Sequence, residues 1–506
     1  MYAKVNTVGL TGLNGFEVTV ECSAEKGTPD FRIVGLGDTS IQESRQRVLA
    51  ASANSGFGTA RYKVSVNLSP ADVKKTGSSY DFPILVSVLA ATEEIVLPKS
   101  TDAFLGELSL SGELMSTKGI LPMVNAAKSM GIKRVFLPEM NIHEASLVRG
   151  IELYGIKSIT QLAEFLCGKT KLIPAAPYVP SPEEYIESED FADVKGQENI
   201  KSAIQTAAAG FHNLLMIGPP GSGKSMIAKR IPGVMPVMTF EESIEVTSVY
   251  SVAGLIDDKS PFVTHRPFRP VSHTASSAGV IGGGKIPMPG EISLGHNGVM
   301  FLDELPEFRR DVLEALRQPL EDKRVVITRA SGKVSFPCKT MLIAAMNPCP
   351  CGNFGSEGMC SCTPAAIAKY LGKISRPVLD RIDIQIEVSG VKYQQLRSDN
   401  SGLSSSEIRE NIQKAREIQQ NRFKGTDILF NSEIPPSRLK EYCPLNQDAE
   451  KFLQGSFDNL GLSARAYDRI MKVARTVADI EGSEIIEKKH IGRAVQYRTL
   501  DRKYWQ

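Results

Sequence analysis

The sequence predicts a mixed α/β protein in which a parallel sheet carries the functional residues. The apolar run Leu214–Ile217 predicts a buried strand, and a helix is expected to begin at Met226, after a glycine-rich loop. Two further apolar runs, Val299–Leu302 and 340–346, are typical of buried parallel strands. Both end in polar residues, and ligands bind beyond the carboxyl ends of such strands.

The chain divides into four segments by composition and periodicity. Residues 1–168 alternate strand-like runs such as 62–68 with helical ones, which predicts an α/β domain. Residues 169–193 are rich in proline and then acidic, and they are expected to form a linker. Residues 194–392 hold the apolar strands, and helical spacing dominates residues 393–506, which predicts a helical domain.

Composition limits the class of protein. The 506 residues carry a net charge of +2, so we expect any nucleic-acid contact to be local rather than spread over a basic face. No apolar run approaches the ~20 residues that cross a bilayer, and the amino terminus lacks the apolar core of a signal peptide. We therefore expect a cytoplasmic protein without membrane contact.

The glycine-rich loop fits the pattern G-x-x-x-x-G-K-[ST]. Backbone N–H groups of such a loop cradle nucleotide phosphates, and glycines let the chain curl closely around them. We predict that Lys224 neutralises phosphate charge and that the Ser225 hydroxyl ligates Mg²⁺. A turn that binds nothing is the alternative, which the flanking strand and helix disfavour. The predicted ATP-binding residues are Gly218, Pro219, Pro220, Gly221, Ser222, Gly223, Lys224, Ser225 and Met226.

Two acids, Asp303 and Glu304, end the run Val299–Leu302. We predict that Asp303 holds Mg²⁺ through water and that Glu304 polarises the attacking water, because a carboxylate can accept its proton. A solvated acidic turn after a strand is the alternative, and the glycine-rich loop upstream favours catalysis. Together these elements predict ATP hydrolysis.

Three further residues are candidates for the same reaction. Asn347 ends the run 340–346 and is placed to orient the attacking water, unless it only caps a turn. Arg381 is a candidate because an arginine from a neighbouring subunit can stabilise charge in phosphoryl transfer. Arg465 lies at the start of a helix that Ser463 is expected to cap. Taken singly, each arginine is more often a surface salt-bridge partner, and its position after the strand motifs is what favours a role in catalysis.

Half of the eight cysteines form two C-x-C pairs close together in the sequence: Cys349, Cys351, Cys360 and Cys362. Four thiolates suit tetrahedral Zn²⁺, and four protein ligands leave no open position for a substrate, so we predict a structural zinc. Free thiols in a mobile loop are the alternative. The cluster begins two residues after Asn347, so zinc would fix a loop beside the ATP site.

Residues 324–329 and 333–336 predict a β-hairpin with Arg329 and Lys333 beside its tip. If the hairpin projects into the pore of a ring, these charges would follow the backbone of single-stranded or branched DNA without reading its sequence. The glycine-rich insert 282–284, followed by Lys285, is a second candidate pore loop. A surface hairpin and an ordinary flexible loop are the alternatives.

The combined motifs resemble the ComM/YifB group of magnesium-chelatase-like AAA+ ATPases along nearly the whole chain. The stretches that carry this resemblance are GPPGSGKS, NGVMFLDELPEF, AAMNPCPCG, LDRIDIQIEV and LSARAYDRI. The resemblance implies a P-loop AAA+ αβα sandwich with a carboxyl-terminal helical lid, in a homo-oligomeric ring, expected to be a hexamer. It also implies that Asn347 is the first sensor, Arg381 the arginine finger and Arg465 the second sensor. Whether Arg465 acts on the ATP of its own subunit stays open.

For function, the resemblance implies a motor similar to helicases that drive branch migration in homologous recombination or natural transformation. Two alternatives remain. One is a magnesium-chelatase-type ATPase for metal insertion, whose resemblance to this chain is expected to stop at the AAA+ module. The other is a ring that remodels proteins.

The amino-terminal segment resembles the Lon protease fold in residues 75–81, 106–112 and 131–138. A Lon-type site pairs a serine with a lysine, because the hydroxyl is a weak nucleophile without a base. Ser79 matches the serine, but Leu121 stands where the lysine is expected, with Lys118 close by. We therefore predict a non-proteolytic domain that helps to assemble the ring or to bind DNA.

Overall fold

The computed structural model describes residues 1–506 except 36, 180–188, 258–259, 330–331, 356–358, 391–402, 461 and 506. Part of the predicted linker, the tip of the predicted hairpin and the predicted start of the helical domain therefore lie outside the described residues. Within the described ranges, every helix is too short or too polar to cross a bilayer.

The amino-terminal part is a mixed sheet covered by helices. Its strands are β1 (Tyr2–Thr11), β2 (Asn14–Lys26), β3 (Asp30–Val34), β4 (Tyr62–Ser69), β5 (Asp102–Phe104), β6 (Glu107–Leu108), β7 (Leu114–Met115), β8 (Arg134–Pro138) and β9 (Glu152–Ile156). Its helices are α1 (Thr39–Asn54), α2 (Asp81–Ala91), α3 (Ile120–Ser129), α4 (Ile142–Ala145) and α5 (Ile159–Leu166). The main sheet has the order β3-β4-β2-β1-β5-β8-β9, with β2 antiparallel to both β1 and β4.

The central part is a parallel sheet in the order β11-β14-β17-β10-β18, with two hairpins beside it. Its strands are β10 (Leu214–Ile217), β11 (Phe268–Val271), β12 (Gly282–Gly283), β13 (Met288–Pro289), β14 (Val299–Leu302), β15 (Arg324–Arg329), β16 (Gly332–Pro337), β17 (Met341–Met346) and β18 (Ile384–Glu387). Its helices are α6 (Glu198–Gly210), α7 (Lys224–Val234), α8 (Phe240–Ala253), α9 (Ser277–Ile281), α10 (Glu291–Leu294), α11 (Arg310–Ala315), α12 (Arg317–Asp322), α13 (Pro364–Leu371) and α14 (Arg376–Leu379).

The carboxyl-terminal part is helical and packs on the central part. Its helices are α15 (Ser405–Arg422), α16 (Leu439–Tyr442), α17 (Gln447–Leu460), α18 (Ala464–Ile480), α19 (Lys488–Gln496) and α20 (Leu500–Trp505). In α18, Ile470, Val473, Ala474 and Val477 recur at helical spacing and are buried in one cluster with α6. Ser463 caps this helix as expected, since its side chain accepts a hydrogen bond from Ala466 N.

The amino-terminal part contacts the central part through helix α3 and through the turn between β1 and β2, among other places. Helix α3 packs against α8, where Gly119 N donates to Ser251 O at 3.1 Å. The turn between β1 and β2 lies against the β15–β16 hairpin, because a Cβ added to Gly12 would come within 2.7 Å of Val334 Cγ1. The two parts therefore form a continuous packed unit, and the hairpin is its shared element.

The position of a Lon-type base is filled by an apolar side chain. Leu121 is fully buried at the start of α3, and its backbone N–H donates to Glu144 Oε1 at 3.1 Å. Lys118 instead lies against Gly254 of the central part, where an added Cβ would meet Lys118 Cε at 2.5 Å. Among the described residues, no lysine hydrogen-bonds to the side chain of Ser79, and the non-proteolytic domain stays a prediction.

Candidate functional site

Strand register brings the sequence motifs together at one edge of the parallel sheet. Ile217 of β10 pairs with Met346 of β17, and Leu302 of β14 pairs with Ala344 of β17. These buried strands are parallel, so the residues that follow each of them emerge at the same edge. The glycine-rich loop, the acidic pair and Asn347 are therefore neighbours, although more than a hundred residues separate the first from the last.

The glycine-rich loop curls around the end of β10 and leads into α7. Gly221 and Gly223 have φ angles of +75° and +88°, which a side chain would strain. Lys224 Nζ donates to the carbonyl oxygens of Gly218 and Pro219 at 2.8 and 2.9 Å, and to Asn347 Oδ1 at 3.3 Å. Burial lowers the pKa of the Lys224 ammonium, and the negative charge of Asp303 opposes that shift.

A hydroxyl and a carboxylate meet next to this lysine. Ser225 Oγ donates to Asp303 Oδ2 at 2.6 Å, which joins the start of α7 to the end of β14. Oxygen ligands of this kind suit Mg²⁺, which binds proteins through one or two carboxylates and keeps several waters. These residues line an open cavity of about 390 Å³ together with Pro220, Gly221, Ser222, Gly223, Lys224, Met226, Glu304 and Asn347. ATP and Mg²⁺ fit this donor set.

Glu304 has a backbone conformation that is rare for a side chain of its size. Its φ is +52°, and its carboxylate is exposed, with Oε2 lying 3.5 Å from His273 Nδ1. Val271 pairs with Leu302, so His273 and Glu304 each lie two residues beyond paired strand ends. The sequence gives no sign of His273 as a partner, because only the order of β11 and β14 in the sheet makes the two residues neighbours.

Gln197 is a second residue beside the loop that the motifs do not reveal. Its Nε2 donates to Ser222 O at 3.3 Å and to Ser389 O at 2.9 Å, so it connects the loop to the segment after β18. Gln197 Oε1 is buried and has no hydrogen-bond partner among the described residues. Buried oxygen atoms without a hydrogen-bond partner are rare in proteins, and this one lies beside the glycine-rich loop.

Arg381 lies at the opposite edge of the sheet from Lys224. Its carbonyl oxygen accepts from Asn213 Nδ2 at 2.7 Å, and Asn213 immediately precedes β10. The strand separates this position from the loop by roughly 13 Å, and the Arg381 guanidinium is ion-paired with Glu321. The structure therefore does not bring Arg381 to the cavity that contains Lys224 of the same chain.

Arg465 lies beside Arg381 rather than beside the glycine-rich loop. Its Nη1 is 3.6 Å from Asp380 Oδ2, and its side chain is 65% exposed. The start of α18 is thus on the same side of the molecule as α14. Both candidate arginines face away from the cavity of their own chain.

The four clustered cysteines converge. The Sγ atoms of Cys349, Cys351, Cys360 and Cys362 all lie within 4.8 Å of one another. Sulfurs bound to one tetrahedral Zn²⁺ at ~2.3 Å are about 3.8 Å apart, and the pairs among Cys349, Cys351 and Cys360 are 3.4 to 3.8 Å apart. Backbone N–H groups of Asn353 and Ser361 lower the pKa of Cys351 to about 5, which favours the thiolate that a metal needs. The residues present fit zinc.

Comparisons with known proteins place this architecture in a family. Three family models match the chain. The model described as magnesium chelatase, subunit ChlI, matches residues 190–396, and the model described as subunit ChlI of Mg-chelatase matches residues 20–141. The model of the ChlI C-terminal part matches residues 402–498. We expected the resemblance to magnesium chelatase to stop at the AAA+ module. That expectation was wrong, because two of the three models match residues outside this module.

Two relatives align over nearly the whole chain. Competence protein ComM of Haemophilus influenzae is 40% identical over 493 residues, which is 96% of this chain and 95% of that protein. The protein YifB of Escherichia coli is 38% identical over 507 residues, which is 98% of this chain and 97% of that protein. Lon protease of Acinetobacter baumannii is 29% identical over 189 residues, or 35% of this chain and 23% of that protein.

The parallel sheet, the glycine-rich loop and these matches define an AAA+ ATP hydrolase that carries a Lon-like amino-terminal domain. The chain belongs to the ComM/YifB family of magnesium-chelatase-like ATPases.

Proposed function

We propose that this chain is an ATP-driven motor acting on DNA, as a hexameric helicase or branch-migration translocase in homologous recombination or natural transformation. The main support for the proposal is a contact between the two basic loops that the sequence predicts as pore loops, namely the β15–β16 hairpin and the glycine-rich insert 282–284. Strand β12 lies beside β15, and a Cβ added to Gly283 would be 3.4 Å from Arg329 Nη2.

The two touching hairpins carry three exposed cations. Lys285, Arg329 and Lys333 are all exposed, and none of them makes an ion pair with another residue that the structure describes. Strands β15 and β16 pair from Arg324 with Pro337 to Arg329 with Gly332, so the hairpin is regular up to its tip. Unpaired cations on adjacent hairpins are suited to a phosphate backbone, which attracts positive charge without regard to sequence.

ATP hydrolysis in the cavity of about 390 Å³ would supply the free energy for movement along DNA. In this proposal Lys224 neutralises the β- and γ-phosphates, Ser225 and Asp303 hold Mg²⁺, Glu304 polarises the attacking water and Asn347 orients it. Bound Mg²⁺ would offset the charge of the phosphates. Arg381 and Arg465, which face away from their own cavity, would act on the ATP of a neighbouring subunit, which requires a ring.

The name of one relative supports this proposal. A full-length relative is named a competence protein, which fits a role in natural transformation. A protein-degrading ring would need a base for Ser79, and the expected position holds the buried Leu121. Metal insertion would need a separate surface for a macrocycle, and no feature of the described residues favours one.

The charged hairpin provides the test of DNA binding. The double variant Arg329→Gln/Lys333→Gln is expected to lose DNA-stimulated ATP hydrolysis but to keep the basal rate, because both residues lie outside the ATP cavity. The salt dependence of binding to single-stranded and four-way-junction DNA should weaken by about one unit of slope for each lost phosphate contact. ATPase assays with each DNA, combined with titrations at several salt concentrations, measure both effects.

Lys424→Gln is the matched control, since Lys424 is exposed on the helical part and far along the chain from the hairpins. It should leave DNA stimulation unchanged. A double variant that is stimulated like the parent protein, or a parent protein whose ATPase ignores every DNA and whose labelled forks stay unmoved, would refute the motor proposal.

We further propose that the cysteine cluster holds one structural zinc that anchors the carboxyl terminus. Phe354 of the cysteine loop lies edge-to-face with Tyr504 of α20, with ring centroids 6.2 Å apart. Tyr504 also donates a hydrogen bond to Glu387 Oε1 at 2.6 Å, so α20 connects the loop to the end of β18. Loss of the metal should loosen both elements together.

Metal analysis of purified protein should find about one zinc per chain, as expected for a four-thiolate site. The Cys351→Ser/Cys362→Ser variant should lose the zinc, unfold at a lower temperature and become sensitive to proteolysis at the carboxyl terminus. Cys167→Ser is the matched control, because Cys167 is exposed and outside the cluster. Zinc content that is unchanged in the double variant would contradict this assignment.

A further inference from the structure

A large cavity lies where the three parts of the molecule meet, remote from the ATP site. Its volume is about 1080 Å³, and its lining includes Leu13 of the amino-terminal part, Lys339 of the central part and Arg416 of the helical part. Lys339 lies two residues before β17 and His296 three residues before β14, so the cavity is at the amino ends of the parallel strands. The ATP cavity is at their carboxyl ends.

Two cations in the lining of this cavity, Lys323 and Arg416, make no ion pair with any residue that the structure describes. Burial lowers the pKa of both side chains, and the carboxylates that oppose this shift from a distance are Glu433 and Asp383 for Lys323, and Glu242 and Glu433 for Arg416. Glu433 Oε1 contacts Lys339 Nζ at 2.8 Å, and Glu433 Oε2 accepts hydrogen bonds from the backbone N–H groups of Leu429 and Phe430. The carboxylate is therefore fully used by other partners.

The other acids of the lining already have partners or lie at the rim. Glu242 pairs with Arg266 at 3.1 Å, and Glu245 lies 3.1 Å from His296. Glu241 is exposed to solvent. None of these carboxylates forms an ion pair with Lys323 or Arg416, although the charge of Glu242 opposes part of the effect of burial on the pKa of Arg416.

Arg416 is buried without a carboxylate partner among the described residues. Its guanidinium stacks on Phe430 at 3.7 Å and donates to two neutral acceptors, Gln419 Oε1 at 3.0 Å and Leu429 O at 2.5 Å. Burial lowers the pKa of Arg416 to about 10, with a further contribution from the charge of Arg266, so the cation is poorly compensated.

Lys323 is held in place by a strained backbone. Its φ is +56°, a conformation that costs a lysine on the order of 1 kcal/mol and persists only where the surroundings impose it. Lys323 N donates to Pro319 O at 2.9 Å, and Lys323 O accepts from Cys338 N at 3.0 Å. Its ammonium makes no hydrogen bond or ion pair with another residue that the structure describes, and burial lowers its pKa.

One wall of the cavity is apolar. Val237, Met238 and Ile244 line it on the side of α8, with Leu13 and Leu429 nearby. An apolar wall opposite convergent polar groups is the usual composition of a small-molecule site, and the volume is at the upper end of that range.

We propose that this cavity binds a phosphorylated small molecule of nucleotide size, with its phosphate groups between Lys323 and Arg416 and its apolar portion against α8. Both cations would then gain the anionic partner that the protein does not provide. Charge-assisted hydrogen bonds from lysine and arginine to phosphate are among the stronger polar contacts in proteins.

The ligand would act on the hairpin that carries Arg329. Lys323 is the residue before β15, and Pro337, the last residue of β16, also lines the cavity. A ligand at this position would therefore fix the base of the β15–β16 hairpin. The binding proposal itself does not depend on what the hairpin contacts.

Calorimetric titration of Lys224→Ala protein with inorganic pyrophosphate and with AMP tests the proposal, because that variant disables the ATP site. Saturable binding at one site per chain is expected for at least one probe. Adding Lys323→Gln should weaken it about tenfold or more, the loss of one charge-assisted contact, whereas Lys323→Arg should retain it. Gln420→Glu, which adds an exposed carboxylate to the lining, should also weaken binding.

Lys424→Gln in the same background is the control and should bind like the Lys224→Ala parent. If Lys323→Gln does not fold, Gln420→Glu provides the same comparison without a change at a strained position. Two results would overturn the proposal: no binding of either probe, or equal affinity in the parent, Lys323→Gln and Gln420→Glu proteins. Neither result bears on DNA binding, which is measured separately.

Discussion

Replacing Glu304 with glutamine is expected to lower ATP turnover by ~10²–10⁴-fold while leaving ATP affinity close to that of the parent protein. The amide cannot accept a proton from the attacking water, but it keeps the shape of the side chain. Glu304 lies at the cavity edge with an exposed carboxylate, so the substitution should not disturb packing. Steady-state kcat and equilibrium binding of a fluorescent ATP analogue measure the two effects.

Glu307→Gln is the matched control. Glu307 is three residues further along and pairs with Lys373 at 3.0 Å, outside the lining of the ATP cavity. It should turn over ATP at the parent rate. Normal turnover in the Glu304→Gln protein would contradict the catalytic assignment, and loss of ATP binding in that protein would indicate a structural role instead.

Replacing Arg381 with alanine is expected to cost a factor of ~10³–10⁵ in turnover if the side chain acts on the ATP of a neighbouring subunit. The geometry motivates this expectation, because Arg381 lies at the amino end of β10 and Lys224 follows its carboxyl end. The ion pair with Glu321 would have to break when the neighbouring subunit binds. ATP affinity should change much less than kcat.

Mixing two inactive variants separates action between subunits from action within one. An Arg381→Ala subunit keeps its own Lys224, and a Lys224→Ala subunit keeps its own Arg381. At an interface between the two, ATP on the first subunit faces an intact arginine on the second, so mixtures should regain activity. Arg438→Ala, an exposed arginine paired with Glu441, is the control and should keep full activity alone.

No recovery in mixtures that demonstrably exchange subunits would contradict action between subunits. Full activity of the Arg381→Ala protein by itself would remove the residue from the reaction. The same mixing scheme applies to Arg465, which lies beside Asp380 on the same side of the molecule.

The local motifs could be predicted because their chemistry is contained in short stretches of sequence. The glycines at 221 and 223 are needed wherever the chain must adopt positive φ, and the run of buried residues in β14 identifies a strand that ends at Asp303. The two C-x-C pairs likewise bring their sulfurs together with little help from the rest of the fold. Helix boundaries moved by a few residues, as for α7, which begins at Lys224 rather than at Met226.

Other contacts could not be predicted from the sequence, because they depend on which strands and which parts of the chain become neighbours. His273 meets Glu304 only because β11 pairs with β14, and the basic loops touch only because β12 lies beside β15. The cavity around Lys323 needs side chains from all three parts of the chain.

The glycine-rich loop, the acidic pair and the thiol cluster could be recognised without a structure, because residue type and spacing within a few positions specify each of them. The positions of Arg381 and Arg465 outside the lining of their own ATP cavity, and of Lys323 and Arg416 around a shared second cavity, became visible only in the packed fold. These positions depend on the order of the strands in the sheet and on how distant segments pack. A short stretch of sequence does not specify which distant segments will bury each other, so it could not predict them.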